Sequence, residues 1–200
     1  MSKDKETIHE AFTQYLRDLR EFAAKEKTEH TDRGALLNLL KTFAALADSK
    51  TKVQHEPKRT TEKGAPDFKV VKDAMILGYV ENKAIGENLS KVLKSDQIKK
   101  YQTLSPNLIL TDYLEFIWIT KDGSPKREHL CHDTDLENRK FKLNPERIDA
   151  VAALLTGFFS TAPEGIGTAK PLAEALAARS RLLRDFLGQE LVRQQDLHQE

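Results

Sequence analysis

The sequence predicts an α/β domain: a small mixed β-sheet flanked by helices, with a helical C-terminal extension. Three observations lead there. Apolar residues recur at helical spacing over the first fifty positions. Short β-branched and aromatic runs, bounded by Gly, Pro and charged turns, fill the middle. Helical periodicity returns from Asn144 onward. Helices, then three or four strands interrupted by a helix, then helices, is the order of a sheet with helices packed on it.

Residues 5–25 read as a helix, because Phe12, Tyr15, Leu16, Leu19 and Phe22 fall on one face. A second helix is expected from about Thr31 to Ala47, with Thr31 or Asp32 as N-cap and Leu36, Leu37, Leu39, Leu40 and Phe43 as its apolar face. The polar stretch "DSKTKVQHEPKRTTEKGAP" is a connection with room for one short strand at Val53–Glu56. "DFKVV" and "MILGYVENKA" then predict a hairpin turning at "KDA", with Phe68 and Val70 inward and Lys69 outward. Residues 87–103 read as helical. "NLILTDYLEFIWIT" reads as one long or bent strand, "KDGSPKRE" as a turn, and "HLCH" as a short final strand. "NPERIDAVAALLTGFF" predicts a helix with Asn144 as N-cap and Pro145 at the first helical position. "STAPEGIGT" is a loop before a long amphipathic helix.

Bulk composition bounds the function. The chain has 200 residues, 39% hydrophobic and 32% charged, which suits one globular domain with a sizeable core. No run approaches the roughly 18 apolar residues of a membrane span. The start "MSKDKETIHE" lacks the apolar core of a signal peptide, so a cytoplasmic location and no membrane partner are expected. A single cysteine, Cys131, excludes an internal disulfide and argues against a cysteine-based zinc site. A net charge of +1 leaves a nucleic-acid partner open, since a basic patch can sit beside an acidic face.

The chemistry concentrates in "GAPDFKVVKDAMILGYVENKAIG". Strand side chains alternate, so Glu81 and Lys83 share one face while Val80 and Asn82 share the other. Pairing of the two strands brings Asp67 beside Glu81, because neighbouring strands lie only about 5 Å apart. Two carboxylates at that spacing repel unless a cation intervenes. An oxygen-preferring divalent ion such as Mg2+ suits them, and Lys83 is placed to orient a nucleophilic water or to stabilise phosphate charge. The bland alternatives are a turn aspartate and a salt-bridged strand end.

Pro66-Asp67 followed by Glu81-Asn82-Lys83 resembles the PD-(D/E)XK nuclease signature. Gln97 and Tyr101, four apart on a predicted helix, are similar to the Gln-x-x-x-Tyr element of one branch of that superfamily. "TEHTDRGALLNLL", "HEPKR", "GAPDFKV", "GYVENKAIG", "QIKKY" and "LILTDYLEF" occur in an order that resembles the N-terminal nuclease module of single-chain Type IIG and Type ISP-like restriction–modification enzymes.

The resemblance implies a restriction-endonuclease-like core over residues 1–143 and a helical extension or linker over 144–200. It also implies Mg2+-dependent DNA cleavage, with Mn2+ able to substitute. Asp67, Glu81, the Asn82 carbonyl and Glu29 would hold metal. Lys83 would position water and the scissile phosphate, and Gln97 and Tyr101 would brace the site. Methyltransferase and helicase-type domains of the same polypeptide are implied partners, and a dimer would serve double-strand cleavage. The chain itself lacks a methyltransferase Asn-Pro-Pro-Tyr motif and a phosphate-binding Gly-x-x-x-x-Gly-Lys loop. Arg33, Lys58, Arg59, Lys99 and Lys100 are candidates for phosphate contact, the alternative for each being a solvated charge. His129 and His132 flank Cys131, but a spacing of three on a strand sends two imidazoles to opposite faces. The competing functional class is a non-catalytic module that keeps the nuclease fold to bind DNA or dock a partner.

Overall fold

The structure is a computed structural model and describes residues 3–21, 31–55, 66–73, 75–120 and 122–162. Helix α1 (Lys3–Leu19) turns Phe12, Tyr15, Leu16 and Leu19 inward, as its period requires. Helix α2 (Arg33–Ala47) answers with Leu36, Leu39, Leu40 and Phe43, and the rings of Phe12 and Phe43 meet edge to face at 6.0 Å. Asp32 is the N-cap of α2, although its side chain makes no capping bond.

Among the described residues six strands follow in chain order and lie in that same order in one sheet: β1 (Thr51–His55), β2 (Phe68–Lys72), β3 (Met75–Asn82), β4 (Leu108–Thr111), β5 (Glu115–Ile119) and β6 (Pro125–His129). Every neighbouring pair is antiparallel except β3 and β4, which are parallel. A parallel pair needs a crossover, and helices α3 (Leu89–Val92) and α4 (Asp96–Leu104) supply it. Helix α5 (Asp133–Glu137) and helix α6 (Pro145–Phe159) complete the described fold.

The sheet separates two apolar layers. Phe68, Val70, Val80, Ile109 and Phe116 pack with α1, α2 and α6 on one face. Tyr79, Leu108, Leu110, Ile117 and Ile119 pack with Leu89, Ile98 and Tyr101 of α3 and α4 on the other. Strand β3 is therefore covered on both sides, which is why its sequence runs apolar without strict alternation. A bulge between Val70 and Val71 lets Leu77 stand unpaired opposite them. The fold is thus α/β, a mixed sheet flanked by helices, consistent with the expected restriction-endonuclease-like core.

Four expectations change. "NLILTDYLEFIWIT" is two antiparallel strands, because Asp112–Leu114 make a tight turn with Tyr113 at φ +74°. The Asp112 carboxylate holds that turn by accepting the N–H groups of Leu114 and Glu115 at 3.1 and 2.7 Å. The last strand is "PKREH", not "HLCH"; His132 instead stands at the N-cap of α5. Among the described residues the sheet has six strands rather than three or four. Finally, α6, read as the start of an extension, packs Val151, Leu155 and Phe158 into the main core, and the compact unit runs Met1–Pro163. Its N-terminus is capped as expected, the Asn144 side chain accepting the Glu146 N–H at 2.8 Å. Among the described residues, no helix is long and apolar enough to cross a membrane.

Candidate active site

The antiparallel register pairs Phe68 with Val80, so one step further along the two strands Asp67 stands beside Glu81. The bond that fixes this end of the hairpin is made by Asp67 itself, whose Oδ2 accepts the Asn82 N–H at 2.9 Å. Its other oxygen, Oδ1, accepts a hydrogen bond from the Arg33 guanidinium at the start of α2. Both side chains of that ion pair are largely buried, at 11% and 12% exposure.

Glu81 is 3% exposed. Its Oε1 accepts from Lys83 Nζ at 2.7 Å and from Gln97 Nε2 at 2.9 Å. Its Oε2 is buried and, among the described residues, has no hydrogen-bond partner. The alternation of β3 explains the first contact: residues 81 and 83 lie on one face, the face covered by α4. The start of α4 is set by Ser95, whose Oγ accepts the Ile98 N–H at 3.4 Å. One helical turn then links Gln97 to Tyr101, Gln97 Nε2 donating to the phenol oxygen at 3.1 Å. Gln97 Oε1 also accepts from Lys83 Nζ at 3.2 Å.

This packing shifts two acid groups. Burial, then the neighbouring Asp67 charge, pushes the Glu81 carboxyl up to about 7 against the opposing pull of its Lys83 bond. Burial likewise raises the Tyr101 phenol, opposed by its bond to Gln97.

Beyond the last paired residue of β3, the Lys83 N–H bonds the Thr111 carbonyl at 2.8 Å, so the lysine backbone is tied to β4. The Asp112 carboxylate reaches the Gly86 N–H at 3.2 Å and steadies the loop that follows. Sequence reading missed both supports. The only hint was the polar Thr-Asp pair inside an otherwise apolar run, "LILTDYLEF".

Asp67, Glu81, Asn82, Lys83, Gln97 and Tyr101 are therefore brought together. Arg33, expected at a phosphate, is instead buried against Asp67, because the first turn of α2 abuts the end of the hairpin. Lys99 and Lys100 are exposed on α4, and Lys99 Nζ lies 3.2 Å from Asp96. Glu29, Lys58 and Arg59 lie outside the described residues. His129 Nε2 sits 3.4 Å from Glu115 Oε1, while His132 serves α5, so the two imidazoles are used separately.

A hard divalent cation suits the donor chemistry. Two adjacent carboxylates are present, one of them with a buried oxygen lacking any partner, and such an oxygen is costly to leave unsatisfied. Among the described residues no group of three or more His, Cys, Asp or Glu side chains gathers at one point, so the side-chain donors are this pair.

No family model and no curated protein matches the chain. Among solved structures, the chain is similar to the cryoEM structure of a DrdV–DNA complex, with a TM-score of 0.59 and 19% identity. The similarity covers 80% of this chain and 14% of the other, so the chain spans about one seventh of that protein's length. A likeness at this identity concerns the fold.

Proposed function

We propose that this chain is a Mg2+-dependent DNA endonuclease domain, the cleavage module of a restriction–modification or phage-defence enzyme. The observation that carries the reading is the Glu81 carboxylate, buried beside Asp67, with Oε1 tied to Lys83 and Gln97 and Oε2 unpartnered. A DNA partner is supported by the DrdV–DNA complex to which the fold is similar. That protein is far longer than this chain, so methyltransferase or helicase-type domains following this one also belong to the proposal.

Asp67 and Glu81 would hold the cation, and with it comes Lewis-acid polarisation of a phosphate oxygen. The Lys83 ammonium carries three donors, and Glu81 and Gln97 accept two of them, so its position is fixed by an acid on its own strand and an amide on α4. A fixed ammonium stabilises charge developing on a phosphodiester and orients an attacking water by hydrogen bonding. Gln97 keeps Lys83 and Glu81 in register, and Tyr101 holds Gln97. Substitution of Gln97 should therefore lower the rate without removing the cation.

The test is nicking of supercoiled plasmid in Mg2+ and in EDTA by the parent and by Asp67→Asn, Glu81→Gln and Lys83→Ala. The expected result is cleavage by the parent in Mg2+ alone and loss of at least about a hundredfold in each variant. Variants that cut as fast as the parent would remove the assignment. A parent that binds duplex DNA but never cuts it, under any divalent ion, would favour a non-catalytic DNA-binding module.

A further inference from the structure

Asp67 is engaged at both oxygens, and the Asn82 N–H and the Arg33 guanidinium differ in how readily they can leave. The Asn82 N–H on Oδ2 belongs to the main chain of β3, in a residue with 0% exposure between paired strands. Releasing it means unzipping the end of the sheet. The Arg33 guanidinium on Oδ1 sits at the end of a long side chain, on the first residue of α2. Glu81, by contrast, offers Oε2 without a partner. A cation shared by the two carboxylates thus meets one open oxygen on Glu81, but on Asp67 a guanidinium that repels it.

We propose that Arg33 is a built-in counter-ion that competes with the divalent metal at Asp67 and exchanges Asp67 for a DNA phosphate when the substrate arrives. Guanidinium suits both partners, since its planar fork matches carboxylate and phosphate alike. In the metal-free chain, Arg33 offsets the repulsion between Asp67 and Glu81. Once a phosphodiester is present, its negative charge compensates the metal and offers Arg33 another anion. Metal and DNA then bind cooperatively, each raising the affinity of the other by the same factor. A domain built this way stays poorly loaded with metal until it sits on its substrate. This inference rests on the metal-dependent reading above and concerns how that site is regulated.

The experiment titrates Mn2+ into the 200-residue chain, with free Mn2+ followed by electron paramagnetic resonance, alone and with a phosphorothioate DNA duplex. The parent is expected to bind Mn2+ weakly alone and about tenfold more tightly with the duplex. Arg33→Gln should bind Mn2+ alone about tenfold more tightly than the parent, and the duplex should add little. Arg33→Lys keeps the charge and should stay close to the parent. If Arg33→Gln binds Mn2+ no better than the parent while Glu81→Gln abolishes binding, Arg33 merely orients Asp67 and the competition is disproved. Should the Gln variant fail to fold, the parent still decides: the Arg33 Nε–H resonance must shift when Mg2+ and duplex are added together, and a resonance that stays put overturns the proposal. Mn2+ binding indifferent to Glu81→Gln would be a separate failure, that of the metal reading itself.

Discussion

Lys83 Nζ stands 2.7 Å from Glu81 Oε1, two residues back on the same strand face, and Gln97 reaches both from α4. A strand period of two produced that contact, and the crossover helix enclosed it. The result is an acid stripped of water on a rigid strand, with one oxygen compensated and the other not.

The first prediction concerns pH. The Glu81 carboxyl is raised from an ordinary value of 4.5 to about 7, by burial first and by Asp67 second. A carboxyl raised on folding binds its proton more tightly in the folded than in the unfolded chain. Its contribution to stability is therefore full below about pH 4.5 and is lost as pH rises through about 7. In EDTA, the Tm should fall between about pH 5 and pH 7.5, by an amount on the order of 1–3 kcal/mol in stability, and Glu81→Gln should flatten that fall. Mg2+ should restore the parent Tm more at pH 7.5 than at pH 5. Thermal melts across this range decide the matter, and an identical slope in the Gln variant would count against the assignment.

A second prediction targets the hub behind the crossover. Asn107 Nδ2 donates to the Leu77 and Phe158 carbonyls at 2.8 and 3.3 Å, and Trp118 Nε1 donates to its Oδ1 at 2.7 Å. Gly78 sits against it so closely that an added Cβ would fall 2.5 Å from the Asn107 carbonyl oxygen and 2.8 Å from the Phe158 ring. Asn107→Ala leaves buried partners unsatisfied and should cost roughly 2–4 kcal/mol. Gly78→Ala overpacks backbone against backbone and should cost about as much or more. Urea unfolding measures both. A loss below about 0.5 kcal/mol in either would show that the contact relaxes.

The relation between sequence and structure is uneven for physical reasons. Asp67, Glu81 and Lys83 can be placed together from the sequence because strand alternation and a hairpin register are short-range rules. The Asp112–Leu114 turn escapes them. It carries no glycine or proline, and the left-handed residue is Tyr113, held by the Tyr15 hydroxyl on its carbonyl at 2.9 Å and by Asp112 beside it. Strand β6 escapes them too, since "PKREH" lies at the sheet edge with exposed charges and no apolar alternation. The Arg33–Asp67 pair spans 34 residues, and nothing local announces it. Helix α6 reads correctly as a helix, but its broad apolar face does not say which partner it covers.

Arg20 supports a third prediction. Its guanidinium donates to the carbonyls of Leu136, Phe141, Asp135 and Asn138 at 3.2, 3.3, 2.8 and 2.8 Å, and its Cζ lies over the Phe141 ring, 5.8 Å from the centroid. One side chain thus collects carbonyls in the last turn of α5 and just beyond it, where helix carbonyls lose their intrahelical donors, and shares the Asn138 carbonyl with the Phe141 N–H at 2.9 Å. Lysine has neither the fork nor the planar face, so Arg20→Lys should destabilise almost as much as Arg20→Ala, by about 1–3 kcal/mol. Amide hydrogen exchange is expected to speed up over residues 133–141 in both variants while β3 is unaffected. Full rescue by lysine would show that charge alone matters.

The last prediction uses the one cysteine as a probe of the fold. Cys131 is 2% exposed, and its thiol is pushed up to about 12, chiefly by burial and next by the Asp135 charge. The thiolate is the reactive form, so the folded chain should barely react with a disulfide reagent at about pH 8, whereas the unfolded thiol, near 8.5, reacts readily. Labelling should follow opening of the segment just after β6. Arg20→Ala removes the clamp on the neighbouring loop, so the labelling rate should rise about tenfold or more while Asn107→Ala, acting at the C-terminal end of α6, raises it only through global unfolding. A folded parent that labels as fast as a denatured one would mean that Cys131 is open to solvent and that the packing between β6 and α5 is wrong.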